Sequence, residues 1–144
     1  MKRLLTITVL LCACLAQAGT IQDIRTGVIP EGTIVSFGDA VVTNVMDNSF
    51  VVSEQEAGPN RTVWVYEGQT PVVVEGDVVE LHGTYIEQNG RATISLLHPA
   101  AAGLSVTGTA AVPVNHVTVL QLLNDPEGWE STLVNVTDGL IVQE

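Results

Sequence analysis

A chain of 144 residues has room for one domain, or for one small domain and part of another. Its hydrophobic share of 46% excludes a disordered acidic tail despite a formal charge of -11, and that share is mostly Val, Ile, Leu and Ala, the balance of an all-β protein. Beyond position 18 the only basic residues are Arg25, Arg61 and Arg91, against sixteen acidic ones, so long-range steering toward nucleic acid or anionic lipid is excluded.

Residues 1–18 read as an export signal: Lys2-Arg3 is basic, Leu4 to Leu11 is an apolar run too short to span a bilayer, and Ala16-Gln17-Ala18 is a small-x-small cleavage site. Cleavage there sends the protein to an extracellular or periplasmic space. A second reading competes, in which Leu11-Cys12-Ala13-Cys14 is a bacterial lipobox and Cys14 is lipidated at a membrane. Both cysteines lie in this segment, so the expected mature chain has no disulfide, no thiol chemistry and no transmembrane span.

Thr20 to Gly27 then reads as one or two helical turns, with Thr20 as N-cap, Asp23 three residues on and Gly27 as the stop, held by packing through Ile21 and Ile24. Pro30-Glu31-Gly32 is a turn. Thr33 to Met46 is the longest strand, interrupted at Gly38-Asp39 by a bulge or bend, the device that lets one strand serve both halves of a small closed barrel. Asp47-Asn48-Ser49 turns into a second strand, Phe50 to Glu54, and a loop at Gly58-Pro59-Asn60 leads to a third, Arg61 to Glu67. Its alternation sets Val63 and Val65 on one face, Trp64 and Tyr66 on the other. A connection through Gly76 reaches a hairpin made of Val78 to Glu87, a Gln88-Asn89-Gly90 loop that tolerates positive φ, and Arg91 to Leu97.

A long bent strand, a meander and a final hairpin make a five-stranded OB-fold-like barrel, whereas an immunoglobulin-like sandwich needs about seven strands. Residues 98–117 are either a linker or a sixth strand on the barrel edge. Thr118 to Asn124 has helical character, Asp125-Pro126-Glu127-Gly128-Trp129 is a turn, and Ser131 to Gln143 is a strand. Thr33 to Val42 lies over Thr132 to Ile141 without a gap, each preceded by a short helix and a Pro-Glu-Gly turn. The division is therefore signal 1–18, barrel 19–97, linker or edge strand 98–117, and the start of a second similar module over 118–144. A lone first strand cannot bury its apolar face. Either the chain is a piece of a longer protein, the simpler expectation, or its C-terminal strand docks on the first barrel.

The series Phe50 to Glu54, Val63 to Gly68 and Val74 to Gly90 resembles the OB-fold modules of secreted bacterial nucleases of the endonuclease/exonuclease/phosphatase superfamily and of related exported multidomain proteins. Leu122 to Val134 is similar to the opening of the next module in that arrangement. The resemblance spans nearly the whole chain after the signal, and its motifs are strands and turns. It implies a place ahead of a metal-dependent catalytic domain and a role in holding nucleic acid. It implies no hydrolysis by this chain, which lacks the Asn, Asp, Glu and His constellation needed for a metal and an attacking water.

Trp64 and Tyr66, with Tyr85 and Arg91 of the neighbouring hairpin, form the candidate ligand platform, on which stacking is worth about 1–3 kcal/mol per base. Arg61 is a candidate phosphate contact. In the competing reading the aromatics cover the barrel and Arg61 pairs with a nearby glutamate. His82, His98 and His116 lack metal-ligand spacing, and no nucleophile motif or phosphate loop is present, so no catalytic residue, metal or cofactor is expected. The expectation is an exported, non-catalytic OB-fold binding module, an accessory part of a nuclease-like protein that holds single-stranded or non-specific nucleic acid. The alternatives are a structural module that contacts neighbouring domains, or a periplasmic protein that binds a small cationic ligand.

Overall fold

The computed structural model describes residues 17–97 and 102–138. Residues 1–16 of the expected export signal, with Cys14, and the histidine at position 98 lie outside the described residues, whereas Gln17 and Ala18, the last two residues of that expected signal, form β1. In chain order the elements are β1 (Gln17–Ala18), α1 (Ile21–Arg25), β2 (Ile34–Val45), β3 (Ser49–Ser53), β4 (Thr62–Tyr66), β5 (Asp77–Gln88), β6 (Arg91–Ser95), β7 (Gly103–Thr109), β8 (Asn115–Val117), α2 (Val119–Asn124) and β9 (Val134–Val136).

Two twelve-residue strands, β2 and β5, organise the sheet. The first half of β2 pairs antiparallel with β5, from Ile34↔Thr84 to Val41↔Val78, and its second half pairs antiparallel with β3. The change of partner falls at Val41, just past the register shift between Phe37 and Ala40, where Asp39 stands at φ +58°, a left-handed conformation that a short polar side chain tolerates. β3 pairs antiparallel with β4, β4 parallel with β6, and β6 antiparallel with β5. That circuit closes a five-stranded barrel of the OB-fold-like kind. The β5–β6 hairpin turns through Asn89 and Gly90 at φ +55° and +76°, the two positive values that a two-residue turn of right-handed twist requires.

Alternate residues of each strand fill the interior. Val35, Phe37, Ala40 and Val42 of β2 meet Phe50 and Val52 of β3, Val63 and Val65 of β4, Val79 and Leu81 of β5, and Ile94 of β6. A narrow barrel suits branched side chains of this size, each contributing about 1.5–3 kcal/mol when fully buried. Gly83 in β5 leaves room for β6 to cross closely: a Cβ there would lie 2.7 Å from both the Ser95 carbonyl oxygen and Ile94 Cγ2. Helix α1 begins with a capping box between Thr20 and Asp23 and buries Ile21 and Ile24 in the same core.

The segment after the barrel resolves the choice between linker and strand. β7 lies antiparallel on Asp77–His82 of β5 as a sixth strand, largely exposed. Beyond it, β8 pairs parallel with β9 across α2, with Asn115↔Val134 and His116↔Asn135. The first copy does the same across α1, with Gln17↔Val35 and Ala18↔Ser36. Both pairings match at the positions the sequence repeat aligns. Helix α2 carries its own capping box, Thr118 with Gln121, but buries no residue, and Leu120 and Leu123 are exposed. The expected strand from Ser131 begins later, at Val134, because Thr132 N–H closes a turn on the Trp129 carbonyl and Ser131 sits at φ +62°, outside the extended region. Residues 139–143 of that expected strand lie outside the described residues.

Candidate functional site

The outer face of β3, β4 and β6 follows from their alternation. With Phe50, Val52, Val63, Val65 and Ile94 inside, the opposite parity places Val51, Trp64 and Thr93 in one row and Ser49, Tyr66 and Ser95 in the next. These outward residues are not all solvated: Val51, Ser53, Thr62 and Thr93 are each no more than 3% exposed. Part of the cover is the turn from Glu127 to Thr132, which meets Thr62 and Trp64.

The turn is tied down at several points. Asn60 N–H donates to the Gly128 carbonyl at 2.6 Å, Thr62 Oγ1 donates to the Glu130 carbonyl at 2.9 Å and lies 3.0 Å from Thr132 Oγ1, and the Trp64 indole N–H donates to Ser131 Oγ. Each such neutral bond is worth about 0.5–1.5 kcal/mol net. A charged anchor joins them. Arg25 Nη1 donates to Glu130 Oε2 at 2.9 Å and Arg25 Nη2 to the Glu127 carbonyl, on a side chain only 10% exposed. The other Glu130 oxygen is 3.9 Å from Arg91 Nε, and the Arg91 guanidinium carbon lies 4.7 Å from the centroid of the Trp64 ring, a cation–π contact. One carboxylate thus stands between two guanidiniums on the face expected to receive phosphates.

Of the residues singled out from sequence, the structure brings together Trp64, Tyr66 and Arg91. They border a cleft of about 290 Å³ between the β2–β3 turn and the Asn89-Gly90 turn. Tyr85 is elsewhere. Its ring is buried with the barrel core, it shares parity with Val79 and Leu81, and its hydroxyl donates to Glu87. Burial first, then the hydrogen bond that the hydroxyl donates to Glu87 and the negative charge of that carboxylate, push the Tyr85 hydroxyl up to about 12. Period two along β5 carries this signal already. Arg61 is also elsewhere, bonded to Glu54 and 3.2 Å from Glu56, the ion-pair reading of that residue. It lines a separate cleft of about 400 Å³ beside the Gly38-Asp39 bulge.

All three arginines among the described residues therefore have carboxylate partners. Reasoning from sequence missed Glu130, Ser131 and Thr132 as partners of β4, because contacts across 67 to 70 residues leave no local pattern. Among the described residues, no group of three or more His, Cys, Asp and Glu side chains is placed to hold a metal ion. No described helix is long and apolar enough to cross a membrane. Neither the models of known protein families nor the curated proteins include a match to this chain.

Proposed function

We propose that this chain is an exported, non-catalytic OB-fold-like module that works by packing against protein, with the repeat that begins at β8 as its first partner. One observation carries the reading: the Glu127–Thr132 turn occupies the outer face of β4 and supplies a carboxylate to Arg25 and Arg91. An acidic surface is no handicap to such a role, and a tandem arrangement agrees with the repeated order of capped helix, turn and strand, α1 before β2 and α2 before β9. The module would then space and orient domains in a larger exported protein, as the resemblance to nuclease-associated modules also suggests.

Nucleic-acid binding is the second reading, favoured by the position of the Trp64–Tyr66 cleft between the two loops that flank ligands in OB folds. The paired arginines weigh against it, since releasing counterions from a phosphate backbone needs cations that are not already neutralised. Anisotropy titration with a labelled oligothymidylate of about 12 nucleotides, within the site size of an OB fold, separates the two. No binding at low salt is the expected result. Binding that falls steeply with salt and disappears in Trp64→Ala would overturn the packing role in favour of the nucleic-acid one.

A further inference from the structure

The cleft that the docked turn leaves open has a chemistry of its own. Tyr66 and Thr93 line it beside Trp64, together with three residues that carry carboxamides, Asn48, Gln88 and Asn89. Neither those carboxamides nor the Tyr66 hydroxyl hydrogen-bonds another described residue. No carboxylate lines the cleft, and its one charge, Arg91, is laid over the Trp64 ring with Glu130 nearby.

Each ligand class makes a different demand on such a lining. A phosphate chain needs unpaired cations, a cationic ligand needs a carboxylate, and an apolar ligand needs apolar walls. Carboxamides and hydroxyls offer donors and acceptors together, the pattern that a ligand hydroxyl, itself donor and acceptor, satisfies in either sense. A half-buried tyrosine ring adds a flat apolar surface against which the C–H face of a sugar ring can bury area. The volume sits at the low end of the range of about 300–1,000 Å³ for ligand pockets, enough for a short segment of a longer chain that runs on past the cleft.

We infer that this cleft binds a neutral oligosaccharide segment, with Tyr66 beneath one sugar ring and the carboxamides of Asn48, Gln88 and Asn89 on its hydroxyls. The inference does not rest on the packing role: the Glu127–Thr132 turn shares Trp64 with the cleft but bonds to none of these carboxamides.

The test is an array of neutral glycans, including β-linked glucans, xylans, mannans and N-acetylglucosamine oligomers, probed with the full chain and followed by calorimetric titration of the retained class. At least one class is retained, with an affinity that stays constant as salt rises because no counterions are released. Tyr66→Ala and Gln88→Ala each weaken it by about tenfold or more. Asn89→Gly, which preserves the positive φ of the turn, weakens it in the same direction and guards against a Tyr66 variant that fails to fold. Retention of no neutral glycan overturns the inference. So does binding that is indifferent to Tyr66, Gln88 and Asn89, or capture of the oligothymidylate in the cleft, lost in Tyr66→Ala, in place of any glycan. Glu130→Ala loosens the docked turn and leaves glycan binding within about twofold, which keeps this outcome separate from that of the packing role.

Discussion

Replacing Glu130 with alanine removes the carboxylate on which Arg25 is anchored and tests whether the docked turn holds energy or merely lies in place. The bond is charge-assisted at 2.9 Å, between side chains 10% and 28% exposed, and bonds of that kind contribute about 1.5–3 kcal/mol. The larger penalty of about 3–5 kcal/mol for stranding a buried charge is not reached, because Arg25 keeps the Glu127 carbonyl. The 3.9 Å contact with the half-exposed Arg91 adds almost nothing. Arg25 Nε is buried with no hydrogen-bond partner among the described residues, so the loss of Glu130 leaves the guanidinium bonded to the Glu127 carbonyl. The expected loss is about 2 kcal/mol, a large share of the about 5–15 kcal/mol that holds a domain of this size folded. Urea unfolding followed by tryptophan fluorescence measures it, since Trp64 and Trp129 lie at the contact and next to it in the chain. A double-mutant cycle with Arg25→Met isolates the pair and should return a coupling of about 1–2 kcal/mol. A loss below about 0.5 kcal/mol, or an equal loss with and without Arg25, would refute the reasoning and leave the turn an adventitious neighbour of β4.

Other perturbations probe the barrel itself. Gly83→Ala forces a methyl to within 2.7 Å of the Ser95 carbonyl, and the chevron or equilibrium midpoint should show a loss of about 1–3 kcal/mol from overpacking; an unchanged midpoint would mean that β5 and β6 are not so close. Tyr85 holds its proton more tightly when folded, up to about 12 against an ordinary 10.0. Its contribution is complete below about pH 10 and is lost as pH rises through 12, so Tyr85→Phe should flatten the alkaline limb of the stability profile and remove an absorbance step near pH 12. The Asp23 carboxyl is held below its ordinary 3.8 by hydrogen bonds from the Thr20 backbone and side chain. Its stabilisation is present above that value and is lost as pH falls through the lowered one, a dependence that Asp23→Asn should abolish in acid titrations followed by circular dichroism. Thr20→Ala should cost about 1 kcal/mol through the lost cap, and Thr118→Ala less in global unfolding, because α1 packs two isoleucines in the core while α2 buries nothing.

Local devices were legible in the amino-acid sequence because each is set by residues a few positions apart. The Thr20–Asp23 capping box, the bend at Gly38-Asp39, the Asn89-Gly90 hairpin and the shared face of Val63 and Val65 in β4 needed no distant partner to specify them. Order and spacing of five such strands were enough to narrow the topology to a closed barrel. Three things came from tertiary structure alone. Barrel closure through the parallel β4–β6 pair joins strands that no turn connects directly. The fate of residues 103–109 turned on whether the outer edge of β5 was vacant once β6 had left it at Thr84. The state of the β4 face depended on a turn nearly seventy residues away, whose serine, threonine and glutamate look in sequence like any polar loop. Alternation can say that Trp64 points outward, but only the folded chain decides what meets it there. An outward side chain is fixed by its own strand, whereas its partner is fixed by the path of the rest of the chain.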